Sequence, residues 1–239
     1  MTLSRRTLLV GLGLGAAATG LAACSSTDED SSPSGDNNSP KGETSTPPQP
    51  EEAAESATGA MPDEGTEHAA TWMSFAVSED IWGADMVEDV QQSLLDIAAA
   101  IAAFEPVNAI VPSGTRLRDV PDGVALIEMP ADDLWIRDTG PTFVRSEGAI
   151  AGVDFNFNGW GDKQEHAKDA QVAAAVCERA GVPRISTELV LEGGALEVDG
   201  EGTAIITESC VLNDNRNPGW TKEQVEAELQ RTIGVEKVI

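Results

Sequence analysis

The 239-residue chain has no tyrosine, only 4% aromatic residues, three cysteines and two histidines. Three cysteines cannot form a disulfide framework, and two histidines leave little scope for a histidine-based metal site. Basic residues are also scarce, since 15 Lys and Arg stand against 41 Asp and Glu and give a formal net charge of -26. A chain this acidic is not expected to bind nucleic acid, because phosphate binding requires clustered basic side chains.

The first residues have the pattern of an export signal. Arg5 and Arg6 form a twin-arginine pair, and Leu8 to Ala23 then carries no charge. This uncharged run has 16 residues, whereas a membrane-spanning helix needs about 20, so it is typical of the hydrophobic region of a signal peptide. The run ends in a lipobox at Cys24. We therefore expect residues 1–23 to be a twin-arginine-type lipoprotein signal peptide, with an uncleaved membrane anchor as the alternative.

Lipidation is expected at Cys24, because cleavage before it would expose a sulfur that accepts a diacylglycerol, and a second acyl chain gives durable anchoring. The expected location is the outer face of the bacterial cytoplasmic membrane, with the membrane contacted through the lipid. Residues 24–60 then hold almost no large apolar side chain, and residues 25–60 contain eight acidic residues and one lysine. Such a composition cannot offset chain entropy by burial, so it predicts a disordered, extended acidic tether.

Residues 61–239 alternate strand and helix patterns, which predicts an α/β domain. The apolar residues of 85–104 recur at helical spacing, and residues 221–224 form a capping box that opens a helix to about residue 233. A further helix is predicted at 170–180, and strands at 69–75, 108–111, 124–129, 142–144, 149–157, 184–191, 195–199, 203–210 and 235–239. Because the last pattern is a fresh strand, we expect either a final edge strand or a fragment of a longer protein.

The densest group of polar and aromatic residues lies around Trp135 and Asp138, just after a predicted strand. A desolvated carboxylate beside an aromatic face suits a planar cation, because it accepts paired hydrogen bonds while the ring attracts the charge. The alternative is a turn in which Asp138 caps the local backbone and pairs with Arg137.

Two other segments resemble binding loops. Glu192 ends an apolar strand and precedes Gly193 and Gly194, which would let backbone or ligand approach closely; a plain turn is the alternative. Residues 155–161 alternate aromatics with Asn and Gly, and their alternative interpretation is a buried strand that ends in a turn.

The remaining candidates for nucleophilic chemistry are Cys177, Cys210, His68 and His166. Cys177 falls on the apolar face of a helix pattern and Cys210 in an alternating strand pattern, where free cysteine is commonly buried filler. We do not expect these four residues to form a nucleophile and base pair.

Taken together and in order, the motifs of the domain resemble the agmatine deiminases, which share a family with Porphyromonas-type peptidylarginine deiminase. The resemblance covers essentially all of residues 61–239. The motifs that carry it are Met61-Pro62 with Glu67 to Trp72, Trp135 to Phe143, Phe157 to Gly161, Glu192 to Gly194, Val198 to Thr203, and Leu212-Asn213 through Arg216-Asn217-Pro218.

The resemblance implies a pentein fold, an α/β propeller of five ββαβ modules around a central active site, of which this chain would hold about half. It also implies hydrolysis of agmatine to N-carbamoylputrescine and ammonia. In that mechanism a Cys thiolate attacks the guanidinium carbon, a His shuttles protons and carboxylates hold the substrate nitrogens. Neither a metal nor an organic cofactor is needed.

Carried over by position, Asp138 matches the first guanidinium-binding acid, Glu192 the second, and Trp135 an aromatic near the substrate. Both acids are thus expected to serve in catalysis and in substrate binding. No histidine or cysteine of this chain matches the family's catalytic His and nucleophilic Cys, so activity of this chain alone is in doubt.

Two other functions therefore stay open. One is a non-catalytic lipoprotein that binds guanidinium or amine ligands, and the other is an inactive, truncated gene product. The expected partner of the active form is a small cationic guanidino substrate, with agmatine, arginine and peptidylarginine all compatible with these residues.

Overall fold

The computed structural model of the protein describes residues 59–239. The predicted signal peptide (1–23), the predicted lipidation site Cys24 and nearly all of the predicted tether (24–60) lie outside them. The helices are α1 (Glu79–Trp82), α2 (Ala84–Ala102), α3 (Ile136–Thr139), α4 (Gly159–Asp162), α5 (Val172–Ala180), α6 (Glu208–Val211) and α7 (Lys222–Ile233). The strands are β1 (Thr71–Ser74), β2 (Val107–Val111), β3 (Val124–Glu128), β4 (Thr142–Ser146), β5 (Ala149–Asp154), β6 (Arg184–Ser186), β7 (Leu196–Val198), β8 (Thr203–Ile206) and β9 (Lys237–Val238).

These strands form three three-stranded sheets, in the orders β1-β2-β3, β4-β5-β6 and β7-β8-β9. The second and third sheets share one plan: an antiparallel pair is followed by a helix and a parallel third strand. The helix of that unit is α5 in the second sheet and α7 in the third. In the first sheet both pairs are parallel, and α2 connects β1 to β2. The α/β architecture expected from the sequence is confirmed.

The first sheet is stabilised by α2. Leu95 and Ala98 are buried on the apolar face of this helix and pack with Phe75, Val107 and other residues of β1 and β2. β2 is the central strand and is buried along most of its length, as a parallel strand between two neighbours requires.

The second and third sheets share a core with α7. Leu229 and Ile233 of this helix are almost fully buried against Val153 of β5 and Ala204 of β8, and each such aliphatic side chain contributes about 1.5–3 kcal/mol of hydrophobic free energy. The predicted capping box is present at Thr221, and Gly234 ends the helix in the left-handed conformation with φ 70°, which glycine adopts without a steric penalty.

Three segments differ from the sequence prediction. The predicted strand 149–157 ends at Asp154. Residues 187–191 continue from β6 but are not part of a strand, and the side chain of Asn217 bonds both the N–H and the C=O of Val190. The predicted strand 203–210 ends at Ile206, and its second half is α6. Ala60, the residue before Met61, pairs with Arg145 of β4.

Within residues 59–239, no helix combines the length and the apolar character needed to cross a membrane.

Candidate functional site

Asp138 lies in α3, the single helical turn between the loop after β3 and the start of β4. Its carboxylate accepts two hydrogen bonds from distant parts of the chain: Oδ1 from the backbone N–H of Gly194 over 3.0 Å, and Oδ2 from the indole Nε1 of Trp160 over 3.2 Å. The structure therefore joins all three segments that the sequence pattern singled out. Asp138 is not a simple cap of its own turn, because its partners are remote residues, and Arg137 pairs instead with Glu64.

The Gly193-Gly194 pair permits this approach. A Cβ at Gly194 would overlap Asp138 Oδ1, and a Cβ at Gly193 would overlap the carbonyl oxygen of Arg137. The predicted purpose of the two glycines, a close backbone approach, is thus confirmed in geometry.

Glu192 precedes these glycines and is 5% exposed. Its Oε1 accepts hydrogen bonds from Nε of Arg216, over 2.8 Å, and from Nη2 of the same guanidinium. Arg216 is itself largely buried. Reasoning from sequence found Arg216 only as part of a motif and missed this pairing, since nothing local relates residues 24 positions apart.

Asn217 fixes the segment that carries Glu192. Besides bonding both backbone groups of Val190, its side-chain nitrogen donates to the carbonyl of Val211 over 2.8 Å. The Arg216-Asn217 pair therefore sets both the backbone leading to Glu192 and the orientation of its carboxylate.

The two acids influence each other. Burial raises the pKa of Asp138 above its ordinary value of 3.8, and the charge of Glu192 raises it further, while the bonds from Gly194 and Trp160 lower it. The net rise means that neighbouring groups of the chain do not fully compensate the ionised form of Asp138 for its burial. A bound cation would supply the missing compensation.

Trp135 lies beside these acids with 44% of its surface exposed. Its ring stacks on Trp82, with centroids 6.3 Å apart, and meets Trp160 edge-on at 6.5 Å. Trp160 in turn meets the buried ring of Phe157 edge-on at 4.9 Å. The 155–161 run thus follows the end of β5 at Asp154, buries Phe155 and Phe157, and contributes to the site through Trp160. Trp82 was not identified from sequence.

Trp160 reaches Asp138 because the backbone turns sharply in α4. Trp160 and Gly161 have φ values of 57° and 84° inside this turn. A Cβ at Gly161 would overlap side-chain atoms of Asn215 and Arg216. Glycine is required at position 161 for both reasons, and this packing places the Trp160 turn against the Arg216 loop.

Cys177 and the two histidines of the described residues make other contacts, and Cys210 is a half-buried free thiol in α6. Cys177 is 1% exposed on α5 and packs against Gly152, and burial raises the pKa of its thiol to about 11. Such a thiol is a poor nucleophile at neutral pH. His68 pairs with Glu105 at 3.3 Å, and His166 contacts the carbonyl of Gln164 at 2.9 Å.

A cleft of about 330 Å³ also borders α3. Its walls include Ile136, Arg137, Phe143 and Trp72 but neither Asp138 nor Glu192. The acids and the exposed indole therefore define the candidate site, and the cleft is a separate feature.

Comparison with known proteins identifies relatives that agree on one family. Residues 60–239 match the model of the Porphyromonas-type peptidyl-arginine deiminase family. The chain is 41% identical over 190 residues to the agmatine deiminase of Ectopseudomonas mendocina, covering 75% of this chain and 51% of that protein. It is 38% identical over 196 residues to the agmatine deiminase of Medicago truncatula, covering 75% and 52% respectively.

A solved structure of agmatine deiminase from Enterococcus faecalis superposes with a TM-score of 0.72 at 36% identity, covering 76% of this chain and 52% of that one. The chain thus spans about half the length of the relatives it matches. The ββαβ units and their order are those of part of a pentein, as the sequence resemblance implied. The chain belongs to the Porphyromonas-type peptidyl-arginine deiminase family.

Proposed function

We propose that this chain holds the guanidinium group of agmatine or a related arginine derivative, as the substrate-binding part of an agmatine deiminase-type hydrolase. The observation that carries the proposal is the meeting of Asp138 with the Glu192 loop through the Gly194 hydrogen bond, beside the exposed ring of Trp135.

The chemistry of these groups fits a planar cation. A guanidinium presents parallel N–H donors, which carboxylates accept in pairs, and an indole face attracts the delocalised charge. In Glu192, Oε1 takes both bonds from Arg216, which leaves Oε2 as the oxygen for a ligand. Asp138 gains compensation for its buried charge when the cation binds.

The proposed reaction adds water to the guanidinium carbon of agmatine and releases ammonia, leaving N-carbamoylputrescine. The family resemblance implies that a Cys thiolate attacks that carbon and a His moves the protons. Asp138 and Glu192 would hold the nitrogens, orient the carbon and localise the charge so that one nitrogen departs as ammonia.

A second candidate is a guanidinium-binding protein without hydrolytic activity. It is favoured by the state of Cys177, the buried thiol of α5 with its raised pKa.

Calorimetry separates these candidates when combined with a product assay. The ligands are agmatine and N-carbamoylputrescine, which differ only where the guanidinium carries a nitrogen in place of the urea oxygen. Preferential binding of agmatine by the chain supports both candidates, and the product assay is run after the chain is fused to the remaining half of an agmatine deiminase relative. Release of ammonia by that fusion supports the hydrolase, and binding without ammonia supports the second candidate. If the folded protein binds the two ligands equally, or binds neither of them, both candidate functions are contradicted. Arginine and an arginyl peptide are titrated in parallel, and their affinities show which group the site prefers at the other end of the guanidinium-bearing chain.

We also propose that the protein is exported and lipid-anchored through Cys24 at the outer face of the cytoplasmic membrane. The twin-arginine pair, the uncharged run and the lipobox support this. Expression in a bacterial host with a labelled fatty acid should mark the wild type and not Cys24→Ala, which should leave the membrane fraction. Equal labelling of both proteins would contradict the proposal.

A further inference from the structure

Asp133 is a buried carboxylate that the proposed chemistry does not use. It is 1% exposed, and both of its oxygens accept hydrogen bonds. Oδ1 accepts from the indole Nε1 of Trp82 over 2.9 Å and from the backbone N–H of Leu134 over 2.8 Å. Oδ2 accepts from the indole Nε1 of Trp135 over 3.0 Å and from Nε2 of Gln164 over 3.1 Å.

Two indoles from separate elements are thus tied to one carboxylate. Trp82 ends α1 and Trp135 directly precedes α3, and their rings stack with an interplanar angle of 29°. An N–H bond at the ring edge fixes the in-plane orientation of an indole, which stacking alone leaves free to slide. Asp133 therefore determines which face of Trp135 is presented next to Trp160 and Asp138.

The charge of Asp133 is not offset by a partner cation among residues 59–239, since all four of its side-chain bonds come from neutral N–H groups. An anion that accepts the indole N–H increases the electron density of the ring, and the attraction of the ring face for a cation rises with that density. The Asp133 carboxylate therefore has two effects on Trp135: it orients the ring, and its negative charge strengthens the attraction of the ring face for a cation.

The backbone of Asp133 is fixed independently of its side chain. Its N–H donates to Oδ1 of the buried Asp169 over 3.3 Å, and its carbonyl accepts from Ser74 over 3.1 Å. In the opposite direction, Asp132 Oδ2 accepts the backbone N–H of Lys168 over 2.7 Å and that of Asp169 over 3.3 Å. These bonds hold the backbone of the loop without using the Asp133 carboxylate, whose oxygens are therefore available to the two indoles.

We propose that Asp133 is a positioning residue that sets the Trp82–Trp135 pair as a cation-attracting wall beside Asp138. For ligand affinity this inference rests on the proposed function, whereas the arrangement of the indoles is testable without any ligand.

The test compares Asp133→Asn with Asp132→Asn in the 239-residue chain. Asp132 is the adjacent acid of the same loop and bonds backbone N–H groups and the ammonium of Lys168 but no indole, so its variant controls for lost loop stability. Near-ultraviolet circular dichroism reports the stacked indoles. Asp133→Asn should change that spectrum and weaken agmatine binding about tenfold, while Asp132→Asn should preserve both despite a lower melting temperature.

Unchanged spectrum and affinity in Asp133→Asn, or equal losses in the two variants, would overturn the proposal. If wild-type protein binds no agmatine, the proposed function fails while the spectrum still decides the role of Asp133. If Asp133→Asn does not fold, Trp82→Phe replaces it, because phenylalanine keeps an aromatic ring at position 82 but lacks the indole N–H that bonds Asp133. Trp82→Phe should weaken agmatine binding about two- to fivefold, and unchanged affinity would overturn the proposal.

Discussion

The backbone N–H of Gly194 donates to Oδ1 of Asp138 over 3.0 Å, although the two residues lie 56 positions apart in the chain. This bond brings the loop that carries Glu192 to the helical turn that carries Asp138. Since Glu192 is anchored from its other side by Arg216, hydrogen bonds hold both carboxylates in fixed orientations. A site of this kind is preorganised for a rigid, planar cation.

Gly194→Ala should damage the site more than the fold. The added Cβ would overlap Asp138 Oδ1, so either the carboxylate or the loop must shift. Agmatine affinity measured by calorimetry is expected to fall at least about tenfold, since a misplaced carboxylate loses its paired bonds. Gly65→Ala is the control, because its Cβ would meet only the movable carboxylate of Asp63. Equal affinities in the two variants would show that the close approach is unimportant.

Arg216→Met should destabilise the protein strongly. It leaves Glu192, 5% exposed, without its cation, and an unpaired buried carboxylate costs about 3–5 kcal/mol of unfolding free energy. The control is Arg137→Met, which removes an ion pair in which both side chains are 59% exposed and should change stability by less than about 1 kcal/mol. Urea unfolding measures both, and similar losses in the two variants would contradict the buried role of Arg216.

The features predicted correctly from the sequence are those that short local patterns encode. The capping box at Thr221 and the left-handed glycine after α7 follow from short-range rules, and the structure has both. Asp138, Glu192 and Trp135 were assigned through resemblance, and the structure brings Asp138 together with the Glu192 loop and with Trp135. The predicted strand at 187–191 is absent, and within this segment the backbone of Val190 is bonded by the side chain of Asn217, which is distant in sequence.

Asp133 could not have been distinguished from its neighbour Asp132 by sequence. Both are acids in one loop, and only tertiary packing directs one toward two indoles and the other toward backbone N–H groups. The same holds for Trp82, which lies 51 residues before Asp133 and carries no local signal for this contact.

Asp169 should make stability depend on pH. Burial raises its pKa to about 6 from 3.8, so the folded state holds this proton more tightly than the unfolded chain. Below about pH 3 both states are protonated and folding carries no penalty. As pH rises toward 6 the penalty grows, and above 6 it reaches about 3 kcal/mol.

Asp169→Asn removes that titration while keeping an oxygen that can accept from Asp132 and Asp133. The difference in unfolding free energy between variant and wild type, followed by urea denaturation, should shift by about 3 kcal/mol in favour of the variant from about pH 3 to about pH 7. Asp96→Asn, at an exposed helix position that bonds only Gln92, should show a constant difference. A constant difference for Asp169→Asn as well would contradict the raised pKa.

Agmatine binding should strengthen as pH rises through the pKa of Asp138. Burial and the charge of Glu192 hold that pKa above 3.8, and only the ionised carboxylate attracts the cation. Binding at acid pH should therefore release a proton, which calorimetry detects when the same titration is repeated in buffers of different ionisation enthalpy. Affinity that stays level from pH 4 to pH 7, with no proton release, would remove Asp138 from contact with the ligand.

The most direct test of the account is the affinity of Asp138→Asn for agmatine, compared with wild type and with Asp154→Asn. Asp154 is a buried acid paired with Arg184 at 3.3 Å, so its variant also removes one buried charge but leaves the candidate site intact. We predict that Asp138→Asn weakens agmatine binding about a hundredfold, as loss of a charged, paired hydrogen-bond acceptor does, while Asp154→Asn binds like wild type. Undiminished binding by folded Asp138→Asn would contradict the account.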